Sequence, residues 1–312
     1  MSGVISCMEV FLTDGFMYAL LAMGFYVSYT ILDFPDLSVE GTVLLGGVSH
    51  ALMIKAGVNP WLALILAFVL GAAAGSVTGV LHVKLNIRPL LCGILVSTAL
   101  ISVNLVVATV GMGGNLKGED GLSTVSIGRG EATILRTYPA KLIPSLIDGF
   151  HLRDFVVFAL IAVIMKLVLD WYLKTKNGLL LRATGNNAQF VTMLAKNPGT
   201  AKIIGLAIGN GFAAMSGALI ATSRGNANQS MGIGMVVIGL ASVIIGLSVF
   251  RKVRFMRPTT KVIVGSVIYQ AALSVATYLG VPSAYNKLLM AVLFTVALVV
   301  SNTGKKGGTA DD

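Results

Sequence analysis

Residues Arg182–Gly199 read RATGNNAQFVTMLAKNPG, a polar interlude with strongly apolar segments on both sides. Asn186 or Asn187 can accept from the free amides of a first helical turn, and Pro198-Gly199 stops the run, so the middle reads as one short helix. On that helix Phe190, Met193, Leu194 and Asn197 fall at i, i+3, i+4 and i+7, which puts the apolar residues on one face. Gly185 and Gly199 permit sharp reversals at its ends. A helix of about three turns in a loop between membrane spans has no core of its own for that face. The face needs either a partner's groove or the lipid interface.

The flanks of this stretch decide the fold class. The chain has 312 residues, of which 55% are hydrophobic and 12% charged, and its mean hydropathy is +0.86. These values exclude an ordinary soluble domain. Uncharged runs at 56–83, 89–116, 203–223, 225–250 and 262–286 each exceed the roughly 20 residues that about 30 Å of hydrocarbon requires. With shorter candidates the expectation is an all-α bundle of about nine spans, eight to ten in range, forming one membrane domain. A barrel is excluded, because the sequence lacks the alternation of lipid-facing and lumen-facing positions over segments of about ten residues.

The net charge is +10, yet the basic residues cluster at span ends: Lys84 with Arg88, the group from Lys174 to Lys202, the group from Arg251 to Lys261, and Lys305 with Lys306. Positive-inside bias accounts for this pattern without a nucleic-acid partner. With alternating spans all four groups share one side, which places the C-terminus in the cytoplasm and the N-terminus outside. Met1–Asp14 carries no Lys or Arg and no cleavable signal pattern. Residues 111–152 form the longest polar segment, expected outside; 174–202 is the cytoplasmic loop; 301–312 is expected to be a disordered tail.

Along the chain, ILDFPDLSVEG at Ile31–Gly41 carries Asp33, Asp36 and Glu40 between two apolar segments. Pro35 interrupts the first span, Asp36 is a plausible N-cap for the next helix, and Glu40 sits in its first turn. Two readings stand: an exposed capped turn, or a break at membrane depth whose unwound backbone lines a pathway. Asn104, within an apolar span, needs a partner at a helix interface or in a pathway. With Asp36, Ser38, Glu40 and Asn210 it forms the candidate translocation path. Gly71, Gly75 and Gly79 make one small-residue stripe, and Gly205, Gly209, Ala213, Gly217 and Ala221 a second. RGNANQSMGIG at Arg224–Gly234 is either an ordinary outer turn or a surface facing a pathway, and its Arg224, Asn226 and Asn228 are candidates for contact with an outer receptor.

The chain shows no phosphate-binding loop, HExxH, CxxC or GxSxG pattern, and Cys7 and Cys92 lie far apart. No catalytic residue, metal site or cofactor is expected. Ionisable residues of the kind that drive ion coupling are few, since Asp14 and Lys166 sit near span ends. A transporter needs an energy source, and these residues do not contain one.

RATGNNAQFVTMLAKNPGTAKIIGLAIGNGFAAMSGAL resembles the permease family of ATP-driven (ABC) importers that serves branched-chain amino acids and ribose. That family's pattern, R-A-x-G-x-N followed by a span with A-x-x-G-A-L, is matched by Arg182, Ala183, Gly185, Asn187, Ala213 and Gly217–Leu219. Lys196-Asn197 stands where a Gly-Ile pair is common. DLSVEG at Asp36–Gly41 resembles the family's D-L-S-V-G with one residue inserted, and with IRPLLCGIL it looks most similar to the tryptophan/tyrosine transport permease subgroup. The resemblance implies a coupling helix near Asn187–Lys196. Phe190, Met193 and Leu194 would enter a groove of a separate, dimeric ATPase, and Arg182 and Lys196 would set register, with Gly185 and Asn187 shaping the loop. It also implies two permease copies, a homodimer being the simplest arrangement, and an extracytoplasmic substrate-binding protein. The protein would be a multi-pass subunit in a bacterial cytoplasmic membrane importing a small solute, an amino acid and possibly an aromatic one. The competing expectation, from the broken segment with its carboxylates, is an ion-coupled secondary transporter.

Overall fold

The computed structural model describes residues 2–114, 124–128, 130–137, 140–142, 152–193, 195–253, 255–282 and 285–306. Eleven helices run through them: α1 (Ser2–Phe25), α2 (Val39–Lys55), α3 (Pro60–Leu85), α4 (Pro89–Gly111), α5 (Leu152–Tyr172), α6 (Lys176–Asn186), α7 (Ala188–Met193), α8 (Pro198–Arg224), α9 (Met235–Val249), α10 (Pro258–Tyr278) and α11 (Asn286–Lys306). The five long uncharged runs fall largely on α3, α4, α8, α9 and α10. Six stretches are long and apolar enough to cross a membrane by themselves: α1 with its continuation to Ile31, α3, α4, α8, α9 with the turn before it, and α10. This is a polytopic helical membrane protein.

Proline at the first helical position starts α3, α4, α8 and α10, where the missing N–H costs nothing and the fixed φ suits a helix. Helix α8 is the axis of the bundle and packs against α1, α2, α3 and α6. Its 27 residues, about 40 Å at 1.5 Å each, are almost fully enclosed over Gly209–Thr222. The glycine stripe of α3 lies on α8: a Cβ on Gly79 would come 2.8 Å from Ile203 Cα, and Gly71 and Gly75 abut the backbone of Asn210 and Leu206. The stripe of α8 itself faces elsewhere, with Gly209 against Gly24 of α1 and Gly217 against Val43 of α2.

Side-chain hydrogen bonds then pin the axis. Ser216 Oγ donates to Met17 O at 2.9 Å, and His50 Nε2 meets Thr222 Oγ1 at 3.0 Å. Bonds of this kind contribute about 0.6 kcal/mol each within a bilayer. Backbone approach through small residues therefore holds the helices together, and the bonds set their register.

The first span ends in a π-helical stretch, Tyr26–Ile31, and the chain then runs irregularly through Asp33–Leu37 before α2 begins. Within this break Phe34 and Asp36 are buried while Asp33 and Pro35 are exposed. The exposed-turn reading is thereby corrected. Asp36 touches Asn210, about 12 residues from the start of α8, so the break lies inside the bundle and α2 starts near its mid-depth. Helix α2 is correspondingly short for a span, at 17 residues.

One feature departs from an all-α fold. Strand β1 (Thr124–Ser126) pairs antiparallel with β2 (Asn226–Asn228), with Val125 opposite Ala227. The two polar segments expected outside are thus joined to each other. Helix α11 continues to Lys306, into the stretch expected as tail, and 307–312 lie outside the described residues.

Candidate functional site

The polar interlude folds as two helices where one was expected. Thr175 caps α6 by accepting from Gly178 N at 3.3 Å, and Asn187 breaks away to cap α7, its Oδ1 accepting from Phe190 N at 3.0 Å. α7 is only six residues long, half the expected length. Asn197 lies off its face; it accepts from Gly199 N at 2.8 Å and caps α8. Ala195, at φ 55°, makes the reversal that had been assigned to Gly199, which sits buried in the first turn of α8 instead.

Gly185 has a different task from a chain reversal as well. It lies within α6 against the carbonyl of Ile31, where a Cβ would overlap that oxygen. Leu181, on the same helix, is fully buried and meets Gly205 of α8 together with Leu32. α6 is therefore wedged between the end of the first span and α8.

On α7, Val191 is fully buried and anchors the helix, while Phe190 is 53% and Met193 82% exposed. Arg182 and Lys196 are exposed at either end, as a rim of charge would require. Leu194 lies outside the described residues. The outcome is a short helix with two large apolar side chains turned out and one turned in.

The same end of the bundle gathers the basic clusters. Lys202 Nζ meets His82 Nε2 at 3.2 Å, bringing the last turn of α3 to the start of α8. Asp170 of α5 accepts from Thr259 Oγ1 at 2.6 Å and pairs with Arg257 at 3.0 Å and Lys166 at 3.2 Å, bringing the start of α10 to the end of α5.

At mid-depth the candidate path residues part company. Asp36 Oδ1 accepts from Ser38 N at 2.9 Å and from Ser38 Oγ at 2.6 Å; its Oδ2 accepts from Asn210 Nδ2 at 2.6 Å. Thr42 Oγ1 donates to Asn210 Oδ1 at 2.8 Å. Ser38 is the N-cap of α2, so Asp36 stands two residues before the position expected of it. Asp36, Ser38, Thr42 and Asn210 are at most 1% exposed. They form a closed knot that ties the break to the axis and do not face an open path in this conformation. Thr42 was not anticipated; its spacing of four from Ser38 on a helix was the available signal.

Asn104, 2% exposed, donates through Nδ2 to Gly41 O at 3.0 Å and so joins α4 to α2. That bond supplies a partner across a helix interface, while Asn104 Oδ1 is buried with no hydrogen-bond partner. Glu40 differs from the others. Its Oε1 accepts from Gly234 N at 3.0 Å, the N-cap of α9, so the starts of α2 and α9 face each other through one carboxylate. It also borders a cavity of about 410 Å³ between α2, α4 and the turn Gln229–Gly232.

At the opposite end Asn226 and Asn228 sit on β2, where Asn228 Oδ1 accepts from Ser230 Oγ at 2.8 Å. Arg224, the last residue of α8, reaches inward: its Nη2 donates to the Tyr18 hydroxyl at 3.0 Å. Arg136, Arg153 and Arg224 border an open concavity of about 800 Å³ beside the ribbon. Among the described residues no group of three or more His, Cys, Asp or Glu is placed to hold a metal ion.

Residues 7–298 match the family model described as branched-chain amino acid transport system, permease component. The chain is 37% identical over 302 residues to a protein named tyrosine transport system permease protein from Clostridioides difficile (strain R20291), covering 97% of this chain and 92% of the relative. It is 29% identical over 283 residues to an uncharacterized protein of Rickettsia prowazekii (strain Madrid E), covering 89% and 91%. No solved structure matches it.

Proposed function

We propose, from the premise that this chain belongs to the permease family of branched-chain amino acid transport systems, that it is the membrane subunit of an ATP-driven importer for an aromatic amino acid. The observation that carries this is mechanical. The exposed apolar pair Phe190 and Met193 stands on a helix contiguous with α6, and α6 abuts the carbonyl of Ile31 where the first span breaks. A force applied at α7 enters the break and α8 without crossing a flexible linker.

A dimeric ATPase supplies that force. Its groove takes Phe190 and Met193, with Arg182 and Lys196 at the rim, in the helix-in-groove mode. Two copies of this chain meet the two grooves. Closure of the ATPases moves α6 and α7 as a unit and reorients α1 and α8, a rigid-body change between two packed arrangements. Positive-inside bias of the basic clusters at the α7 end supports a cytoplasmic position for that end in a bacterial cell, with the N-terminus outside and the C-terminus inside. The ribbon end faces the substrate-binding protein, and the concavity beside Arg136, Arg153 and Arg224 is where that receptor docks. The aromatic substrate follows from the relative named for tyrosine transport.

The test is uptake of labelled tyrosine into proteoliposomes holding this chain, its ATPase and its receptor. ATP-dependent uptake that stops when the ATPase is left out is the expected result. Gradient-driven uptake by the permease alone would replace this reading with the ion-coupled one.

A further inference from the structure

Between α1, the end of α8, α9, α10 and α11, at the ribbon end, lies a cavity of about 410 Å³ that the coupling mechanism does not use. Asp14 of α1 and Arg224 at the end of α8 both border it, a carboxylate and a guanidinium on one cavity. The Tyr18 hydroxyl, enclosed beneath them, accepts from Arg224 and keeps its own proton to donate. Gln270 borders the same cavity, is 5% exposed, and its Nε2 has no hydrogen-bond partner. From α10, Leu273 and the ring of Tyr278 supply apolar lining, with the hydroxyls of Ser274 and Thr277 between them.

We propose that this cavity binds the zwitterion of a free amino acid on its way into the permease. The α-carboxylate lies against Arg224 and the unpaired amide of Gln270, the α-ammonium against Asp14, and the side chain along Leu273 and Tyr278. Three features select this ligand together. A cation and an anion on one cavity match a ligand that carries both charges close together. An enclosed donor without an acceptor gains from a ligand oxygen. The volume lies within the range of sites for small molecules. This assignment rests on the importer reading for the choice of an amino acid over another zwitterion.

The experiment uses the full chain in nanodiscs of phosphatidylglycerol, so that no zwitterionic lipid headgroup competes, and measures binding of labelled L-tyrosine. Arg224→Gln and Asp14→Asn should each weaken tyrosine by on the order of ten-fold or more. The decisive readout is crossed. Arg224→Gln should leave tyramine, which lacks the carboxylate, unaffected, and Asp14→Asn should leave hydroxyphenylpropionate, which lacks the amine, unaffected. Gln270→Glu should weaken tyrosine and not tyramine, a pattern that simple loss of folding does not produce. No saturable binding to the unmodified chain, equal loss of all three ligands in each variant, or displacement of tyrosine by phosphatidylethanolamine at equal concentration would overturn the site. ATP-driven uptake separates the two claims: binding without uptake removes the importer and keeps the site, and uptake with no binding by the permease removes the site and keeps the importer.

Discussion

Replacing Phe190 and Met193 together by serine should detach the ATPase while leaving the permease folded. The two side chains are 53% and 82% exposed, so their outer surfaces contribute little to the fold and are free to be buried by a partner. Full burial of a Phe or Met side chain is worth about 1.5–3 kcal/mol. Scaled by the exposed fraction, the pair offers about 2–4 kcal/mol. Ordering of the flexible Met takes back about 0.5–1.5 kcal/mol. The remainder, about 1–3 kcal/mol, corresponds to a loss of roughly five- to a hundred-fold in affinity. The assay is titration of the nucleotide-free ATPase onto nanodisc-held permease by interferometry, with Gln189→Ala, an exposed polar change on the same helix, as the control. A double variant that binds as tightly as the control would refute the socket argument. Val191→Ser is the wrong variant for this purpose, because that residue is fully buried and its loss would unseat the helix.

Gly185→Val should uncouple the machine: the new side chain meets the Ile31 carbonyl, α6 is pushed off the break, and ATP hydrolysis persists while uptake falls; uptake equal to wild type per ATP would contradict the lever. Asn210→Leu removes the partner of both Asp36 and Thr42, and at about 1–3 kcal/mol per orphaned buried group the midpoint in a detergent thermostability assay should drop by several degrees; an unchanged midpoint would show that the knot does not hold the break. Arg257→Gln removes the exposed partner of Asp170, its side chain being 52% exposed, and leaves the carboxylate paired with Lys166 and Thr259, so the cost should stay near 1 kcal/mol or below and a collapse of expression would be the unexpected result. Cysteines at Val125 and Ala227, opposite each other in the ribbon, should cross-link under mild oxidant once Cys7 and Cys92 are replaced; no cross-link would disprove the pairing of the two outer segments.

Much of the architecture follows from the sequence because a bilayer leaves few choices. Long uncharged runs must be helices and basic clusters mark one side, and both are legible in the residues alone; Pro198 read as the stop of a short helix, whereas it also starts α8. The family resemblance in RATGNN and DLSVEG was equally legible. What tertiary structure decided are the relations between residues far apart in the chain. Asp36 and Asn210 are 174 positions apart, and nothing in either local pattern says that a carboxylate beside Pro35 is answered by an amide on α8. Gly185 read as a hinge and proved to be a seat for a carbonyl, because a glycine's local signal is the same whether its missing side chain makes room for a turn or for another backbone. The outer ribbon and the cavity holding Asp14, Arg224 and Gln270 were invisible for the same reason: hydropathy reports how deep a residue lies, and only packing reports what it faces.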